Sequence, residues 1–270
     1  MAILPCMKKS AAASAQKIAI ITGTSGGIGA AIVRILLEAN YRVFGLARRE
    51  ASPLIFETEL AKNYVHYHVD ISKRSGLEKT WNAISPALRL TGVESVALIN
   101  NAGIEKPIVN FECAEPDDLE MNLATNLIGP LILSALFIRE TEPLAIDKRI
   151  INITSGLATR NLSGLGAYCV SKAGLEMLTR QITEEQKTAK NPVIAISARP
   201  AVVATAMAAR LREAPLSEFP AANTFRGMHD RGELEKPLAV AEALVRDLLR
   251  GEVLSGACYR FGDGVFNLIQ

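Results

Sequence analysis

The stretch KIAIITGTSGGIGAAIVRILLEA, residues 17–39, passes from an apolar strand through a glycine-rich turn into a helix. An apolar run such as IAII is typical of a strand that is covered on both faces. Gly23, Gly27 and Gly29 let the backbone turn tightly and approach a bound group closely, and the N–H groups of the helix start favour a pyrophosphate. The spacing G-x-x-x-G-x-G differs from the commoner G-x-G-x-x-G fingerprint, and no G-K-[ST] of a Walker loop follows. A glycine-rich helix entry without a ligand therefore stays an alternative at this point.

Further apolar runs recur along the chain and are separated by segments of helical pattern. The predicted strands are residues 17–22, 41–47, 65–70, 95–100, 149–154, 193–198 and 257–261. Buried strands that alternate with helices belong to a parallel sheet with helices on both faces. We predict a single-domain, Rossmann-like, doubly wound α/β fold of about seven strands over residues 17–270. Residues 1–16 are expected to form a flexible arm, and residues 214–237 a substrate loop of the length that active-site lids have.

Composition limits the possible partners and the compartment. Thirty basic and 28 acidic side chains leave a net charge of +2, which does not predict a nucleic-acid partner. The cysteines, at positions 6, 113, 169 and 258, form no C-x-x-C pair, and we expect reduced thiols. The start lacks the pattern of a secretory signal, and the longest apolar run, residues 127–138, is shorter than the ~20 residues of a membrane span. We therefore expect a cytoplasmic protein without membrane contact.

The segment after the second predicted strand concerns the choice between NAD and NADP. An enzyme that uses NAD usually presents an acidic residue there, whereas this chain reads GLARRE, with Ala47 followed by Arg48 and Arg49. Guanidinium groups bind phosphate in a bidentate manner, so NADPH is favoured over NAD, although Arg49 is equally explained as a solvated loop charge. Asp70, which ends the third strand, is a candidate to bind the adenine amino group or to cap a helix.

Tyr168 and Lys172 lie four residues apart, which places them on one face of a helix. A phenol with its ordinary pKa near ~10 is a poor acid–base catalyst at neutral pH, and a nearby ammonium is expected to lower that pKa. Ser155, at the end of the fifth strand, is placed to hold a substrate carbonyl. A serine nucleophile is the rival chemistry, but TSGLA is no nucleophile elbow. His66 and His68, at i and i+2 of a strand without a carboxylate, do not predict a metal site.

Together these motifs resemble the short-chain dehydrogenase/reductase family over about residues 17–262. Its T-G-x-x-x-G-x-G stands at residues 22–29 and its N-N-A-G at residues 100–103, and Ser155, Tyr168 and Lys172 match its catalytic residues. The resemblance implies that Tyr168 is the general acid in carbonyl reduction, that Lys172 lowers its pKa and binds the nicotinamide ribose, and that Ser155 positions the substrate oxygen. Asn126 matches a helix asparagine that supports a water-linked proton relay in the family.

The resemblance also implies a set of cofactor contacts at the carboxyl edge of the sheet. They are Gly23, Ser25, Gly27, Ile28, Gly29, Arg48, Arg49, Asp70, Ile71, Asn101, Ala102, Gly103, Tyr168, Lys172, Pro200, Val203 and Thr205. In PAVVAT, residues 200–205, Ala201 replaces the glycine of the family's P-G-x-[IV]-x-T, which would strain the turn if a positive φ is required. Gly26 stands where many NADP-using members carry a basic residue, so the NADP prediction rests chiefly on Arg48.

The carboxyl-terminal region resembles the sepiapterin reductase and benzil reductase group. Asp263 is a possible counterpart of an acid that anchors the pterin in sepiapterin reductases, or a solvated turn residue. The apolar segment LATNLIGPLILSALFI, residues 123–138, is expected to pair with its copy in a homodimer or homotetramer, although burial within the monomer would also explain it. The resulting expectation is an NADPH-dependent carbonyl reductase that acts on a small ketone or dicarbonyl. The alternatives are a non-catalytic NADP(H) sensor and an alcohol dehydrogenase of the oxoacyl or hydroxysteroid type.

Overall fold

The computed structural model describes residues 16–57 and 59–269. The arm predicted for residues 1–16 lies outside the described residues except for Gln16, which already belongs to the first strand. The strands are β1 Gln16–Thr22, β2 Tyr41–Ala47, β3 Tyr64–His68, β4 Val93–Asn100, β5 Asp147–Ile153, β6 Ile194–Arg199, β7 Cys258–Gly262 and β8 Val265–Ile269. They form one sheet in the order β3-β2-β1-β4-β5-β6-β7-β8. The predicted doubly wound α/β fold is confirmed.

The eighth strand is an addition to the seven that the sequence predicted. Strands β1 to β7 pair in parallel, whereas β8 pairs with β7 in the antiparallel direction. Asp263 and Gly264 join the two strands, and both have positive φ angles, 53° and 77°. Two successive positive φ angles are typical of the tight hairpin turn that Asp-Gly favours. Asp263 is therefore a residue of the hairpin turn, which agrees with its interpretation as a turn residue.

Within the described residues, eight α-helices connect or flank the strands. They are α1 Gly27–Glu38, α2 Arg74–Leu88, α3 Pro116–Leu123, α4 Gly129–Thr141, α5 Gly166–Gln186, α6 Ala206–Glu213, α7 Ala222–Asp230 and α8 Pro237–Ala243. A π-helical turn, Ala124–Ile128, joins α3 to α4 without a break, and a second, Leu244–Leu249, extends α8. The segment 214–237, which the sequence predicted as a loop, contains the two-turn helix α7.

Helices cover both faces of the sheet because successive strand residues point to opposite sides. In β1, Ala19 and Ile21 belong to the apolar cluster that packs with α1 and α8. Ile18 and Ile20 belong to a second cluster, which packs with α2, α4 and α5. All four side chains are fully buried, which explains why this strand is apolar at consecutive positions.

The helix that runs from Pro116 to Thr141 is longer than the 12-residue apolar run had suggested. Its 26 residues are long and apolar enough to cross a membrane by length and composition alone, and 44% of its most apolar window is buried inside the protein. Core helices of globular proteins meet the same criterion, so this feature alone is weak evidence for a membrane span. The length criterion therefore does not exclude a membrane span, contrary to the sequence argument.

The strand order reverses between β1 and β4, which are neighbours in the sheet although β2 and β3 lie between them in the chain. In open parallel sheets, ligands bind at the carboxyl ends of the strands where this reversal occurs. The carboxyl ends of β1, β4, β5 and β6 lie around this point. Most of the predicted site residues follow these strands, whereas Arg48 and Arg49 follow β2, and Asp70 and Ile71 follow β3.

Candidate active site

The glycine-rich turn after β1 is held by the N-N-A-G segment after β4. The hydroxyl oxygen of Thr22 accepts hydrogen bonds from the backbone N–H groups of Asn101 and Ala102, at 3.0 Å each. The side-chain amide of Asn101 donates to the carbonyl oxygens of Thr22 and Gly23, at 2.9 and 3.3 Å. Gly23 has a φ of 77°, which favours glycine. The two predicted cofactor motifs thus form one rigid unit.

Two further glycines of the turn are required by close contacts. A Cβ atom on Gly29 would lie 2.3 Å from the carbonyl oxygen of Gly23, so any side chain there would push α1 off the turn. Gly27 has a φ of 56°, and a Cβ atom on it would lie 3.1 Å from the methyl group of Thr205. The predicted contacts Gly27 and Thr205 therefore face each other although they are far apart in sequence.

The two arginines after β2 lie beside the glycine-rich turn. Arg49 donates a hydrogen bond to the Ser25 hydroxyl at 3.3 Å. Arg48 is half exposed and its guanidinium is 4.0 Å from the Asp70 carboxylate. Asp70 also accepts hydrogen bonds from the backbone N–H and the hydroxyl of Ser72, at 3.0 and 2.8 Å, so it closes a turn after β3. Ile71 is buried.

Ser155, Tyr168 and Lys172 come together at the carboxyl end of β5. Ser155 follows β5 directly, and its hydroxyl accepts a hydrogen bond from the N–H of Leu157 at 3.1 Å. The Ser155 side chain lies close enough to the Tyr168 phenol to influence its pKa. Lys172 is buried one helical turn after Tyr168, and its ammonium lies 5.6 Å from the centre of the Tyr168 ring.

The electrostatics of Tyr168 differ from the sequence expectation. Burial raises the pKa of Tyr168 to about 12, the neighbouring Ser155 hydroxyl opposes this shift, and the negative charge of Glu105 adds to it. The pKa of the phenol is therefore not lowered as the sequence predicted, and the Lys172 ammonium donates to the carbonyl oxygen of Ile153 at 2.8 Å. Burial in turn lowers the pKa of Lys172 to about 8. In this state the phenol holds its proton firmly at neutral pH.

Asn126 lies in the π-helical turn between α3 and α4, and it is fully buried. Its side chain accepts from the N–H of Ile104 at 2.8 Å and donates to the carbonyl oxygen of Ile104 at 2.8 Å and to the Ser171 hydroxyl at 3.1 Å. A Cβ atom on Gly103 would lie 3.4 Å from the Asn126 amide oxygen and 3.5 Å from the Lys172 nitrogen. Asn126 and Lys172 thus flank the same glycine of N-N-A-G.

The segment 200–205 follows β6 and is fixed by a short parallel bridge. Val203 bridges to Glu235, and the N–H of Glu235 donates to the carbonyl oxygen of Val202 at 2.9 Å. Ala201 has a φ of 34°, so the strain that the glycine replacement implied is present. Thr205 caps α6, because its hydroxyl accepts from the N–H of Ala208 at 3.4 Å.

An apolar wall adjoins Tyr168. Its buried members come from the start of α5, from α6 and from the segment 214–237, and they are Leu165, Leu211, Ala214, Phe219 and Ala222. The predicted substrate loop therefore packs beside Tyr168. Within residues 16–57 and 59–269, no three His, Cys, Asp or Glu side chains are grouped so that they could hold a metal ion.

Sequence reasoning missed two side chains of this region. Glu105 is 1% exposed and forms an ion pair with Arg210 of α6. Asn122 donates to the carbonyl oxygens of Ile104 and Lys106, at 3.2 and 2.6 Å. Two features of the sequence could have revealed these residues. Glu105 lies two residues after N-N-A-G, and Asn122 lies four residues before Asn126, which places both asparagines on one helix face.

The hydrogen-bond donors around the glycine-rich turn fit the phosphates of a dinucleotide. The amino end of α1 offers free N–H groups, and Arg48 and Arg49 offer guanidinium groups beside it. A cleft of about 480 Å³ is lined by Gly27, Ser52 and Thr205, among others, so the turn is accessible on the side that faces Thr205. These residues would hold the phosphates, and Lys172 lies where it would reach the nicotinamide half.

Comparisons with known proteins agree with this geometry. The family model for short chain dehydrogenase matches residues 17–216. The chain belongs to the short-chain dehydrogenase family. It is therefore an oxidoreductase of the class that acts on CH–OH or C=O groups.

Relatives of known name place the chain near the benzil reductases. A benzil reductase ((S)-benzoin forming) from Bacillus cereus is 36% identical over 241 residues, which are 88% of this chain and 95% of the relative. The fold is shared with a solved short chain dehydrogenase/reductase from Saccharomyces cerevisiae, at a TM-score of 0.79, 24% identity, and coverage of 92% and 96% of the two chains. 4-Hydroxyisoleucine dehydrogenase, solved with NADH, has a TM-score of 0.74 at 22% identity, with 93% and 98% covered. The resemblance to the benzil reductase group is confirmed.

Proposed function

We propose that the protein is an NADPH-dependent carbonyl reductase that reduces a small, largely apolar ketone or dicarbonyl. The observation that carries this proposal is the placement of Ser155 directly after β5 beside Tyr168, with the buried Lys172 nitrogen 5.6 Å from the centre of the Tyr168 ring. Two hydroxyls at one point can hold one carbonyl oxygen and deliver a proton to it.

Each of the three side chains has a distinct role in this proposal. Ser155 donates its hydroxyl to the carbonyl oxygen and orients it. Bound NADPH supplies the hydride. Tyr168 gives its proton to the oxygen as negative charge develops there, and its raised pKa keeps the phenol protonated for reduction at neutral pH. Lys172 binds the cofactor's nicotinamide half and places positive charge near the developing phenolate.

The substrate class follows from the apolar wall and the relatives. Leu211 and Phe219 lie in the cluster that includes Tyr168, and partly buried Leu157, Met207 and Phe225 pack against it. Such a surface favours an apolar or aromatic carbonyl compound. The similarity to benzil reductases supports an aromatic diketone as the first compound to test.

The test of catalysis is NADPH oxidation with a panel of ketones and diketones, in the native protein and in Tyr168→Phe. We expect Y168F to lower kcat by roughly 10²–10⁴-fold, the usual size of a general-acid contribution, while NADPH binding is retained. The matched control is Tyr67→Phe, which should leave kcat unchanged. Tyr67 lies in β3, and its ring packs on Phe44 of β2. An undiminished rate in Y168F would contradict the proposal, as would tight NADPH binding with no turnover on any carbonyl, which would favour the sensor.

The cofactor preference is tested separately. We expect Arg48→Ala to raise the KM for NADPH by roughly tenfold with little change for NADH, because one charge-assisted phosphate contact is removed. Arg49→Ala shows whether Arg49 binds the phosphate or is a solvated loop charge. If it is a solvated charge, the KM values for NADPH and NADH should both stay unchanged. Equal use of NADH and NADPH by the native protein would contradict the NADP assignment.

A further inference from the structure

Glu105 is a buried carboxylate on a rigid segment beside the active site. It stands two residues after the last glycine of N-N-A-G and is 1% exposed. The residues on either side of it are held by α3 and the π-helical turn, because Asn126 accepts from the N–H of Ile104 at 2.8 Å and Asn122 donates to the carbonyl oxygen of Lys106 at 2.6 Å. The carboxylate is therefore presented in a fixed position.

The charge of Glu105 is paired with Arg210 on α6. The Arg210 side chain donates through Nε to one carboxylate oxygen and through Nη2 to the other, the latter at 3.1 Å. Glu105 is buried, whereas the Arg210 side chain is 44% exposed, so the arginine reaches in from the surface. A buried carboxylate that loses its partner is strongly unfavourable, and this cost opposes any movement of α6 away from Glu105.

Helix α6 carries part of the apolar wall beside Tyr168. Leu211, the next residue after Arg210, and Ala214 are buried in that wall. Arg226 of α7 donates to the carbonyl oxygens of Arg212 and Ala214, at 2.9 and 3.3 Å, so α7 is tied to α6. The Glu105–Arg210 pair thus links the rigid segment around Glu105 to α6 and, through Arg226, to α7. Both helices contribute to the apolar wall.

We propose that Glu105, acting through Arg210, is a positioning residue that holds α6 and its apolar wall against Tyr168 and so sets how tightly the carbonyl substrate is bound. This inference rests on the proposed carbonyl reductase function. The same carboxylate also acts on Tyr168 electrostatically, since its negative charge raises the pKa of the phenol. The other groups that face Tyr168 are the Ser155 hydroxyl, the Cys169 thiol and the Lys172 ammonium. Arg210 is faced by Glu105 and Glu213.

The test compares Glu105→Gln and Arg210→Met with Arg89→Met, a control that removes a different ion pair, that of Arg89 at the end of α2 with Glu140 of α4. We expect KM for the ketone to rise about tenfold or more in E105Q and R210M, with a smaller change in kcat, and to stay at the native value in R89M. In E105Q the alkaline limb of the kcat profile should move to lower pH, because a negative charge near the phenol is gone. A purely structural role would not move this limb.

Hydrogen exchange of residues 206–213 provides a readout that does not need activity. We expect faster exchange there in E105Q and R210M than in the native protein and in R89M. Native KM values together with native exchange in E105Q and R210M would overturn the inference. If the native protein turns over no carbonyl compound, the proposed function fails, and the exchange experiment alone then decides whether the pair holds α6. Thermal unfolding of E105Q and R210M distinguishes local release of α6 from global unfolding.

Discussion

Lys172 is an ammonium group with 3% of its surface exposed, and its side-chain nitrogen donates to one backbone carbonyl. Burial disfavours the charged form and lowers its pKa to about 8, from an ordinary value of 10.5. Between these two values the unfolded chain binds a proton that the folded chain has released. Folding stability must therefore rise with pH in this window, since stability rises wherever the unfolded state binds more protons.

We predict that this pH dependence disappears in Lys172→Met. Between about pH 8 and pH 10, the free energy of unfolding of the native protein should gain up to about 1.4 kcal/mol per pH unit relative to the variant. Urea unfolding of both proteins at about pH 7.5 and about pH 9.5 measures the difference. A constant offset between the two proteins at both pH values would show that the ammonium is not destabilised by burial.

Ala201 is a second residue whose local environment leads to a prediction. Its φ of 34° is unfavourable for a residue with a Cβ atom, at a cost of about 1–2 kcal/mol, whereas glycine adopts it freely. The larger entropy of a glycine in the unfolded chain offsets about 0.4–1 kcal/mol of this gain.

We predict that Ala201→Gly raises the free energy of unfolding by about 0.5–1 kcal/mol. Ala204→Gly, three residues later in the same segment, is the matched control, and we expect it to lower stability by roughly 0.5–1 kcal/mol because no positive φ is relieved there. Denaturant unfolding measures both. A loss of stability in both variants would contradict the strain argument.

Helix α1 depends on the contact between its first turn and the glycine-rich turn. A Cβ atom on Gly29 would lie 2.3 Å from the carbonyl oxygen of Gly23 and 2.5 Å from the side-chain nitrogen of Asn101. Backbone groups cannot move aside as a flexible side chain can, so α1 and the N-N-A-G segment would have to separate. Gly26, three residues earlier, has extended backbone and no atom within 4 Å of a Cβ.

We predict that Gly29→Ala destabilises the protein by about 1–3 kcal/mol, the usual cost of overpacking, and weakens NADPH binding. Gly26→Ala should change the free energy of unfolding by less than about 0.5 kcal/mol. Thermal unfolding and cofactor titration of both variants make the comparison. Equal stability of G29A and the native protein would mean that the close packing of α1 on the turn is not required.

At the scale of the whole molecule, exposed apolar side chains indicate a surface where two copies could pair. Large apolar side chains are exposed on the helices that cover one face of the sheet, at Ile128 and Leu131 near the start of α4 and at Val170 and Met177 on α5. Exposed apolar patches are typical of protein–protein interfaces. We therefore retain the homodimer or homotetramer expected from the sequence as a proposal.

We predict that Leu131→Glu together with Met177→Glu shifts the protein towards the monomer, because two charges would have to be buried at the interface. Sedimentation velocity of the native protein and the double variant measures the shift. Leu254→Glu, at an even more exposed apolar residue before β7, is the control and should leave the assembly unchanged. A native protein that sediments as a monomer would contradict the proposal.

The sequence by itself determined the order of most strands and helices along the chain and proposed a set of site residues, because both depend on local patterns. Consecutive apolar residues define buried parallel strands, and the four-residue spacing of Tyr168 and Lys172 puts them on one helix face. The antiparallel β8 was missed although its Asp-Gly turn was visible in the sequence, because its apolar run is short and half exposed.

Only the tertiary structure decided the electrostatics and the long-range contacts. The pKa of Tyr168 depends on burial and on Glu105, 63 positions away in the chain, neither of which spacing reveals. The same holds for the pair of Glu105 with Arg210 and for the approach of Gly27 to Thr205. Dielectric environment and non-local distance are properties of the packed molecule, and they are fixed only when the sheet and helices have come together.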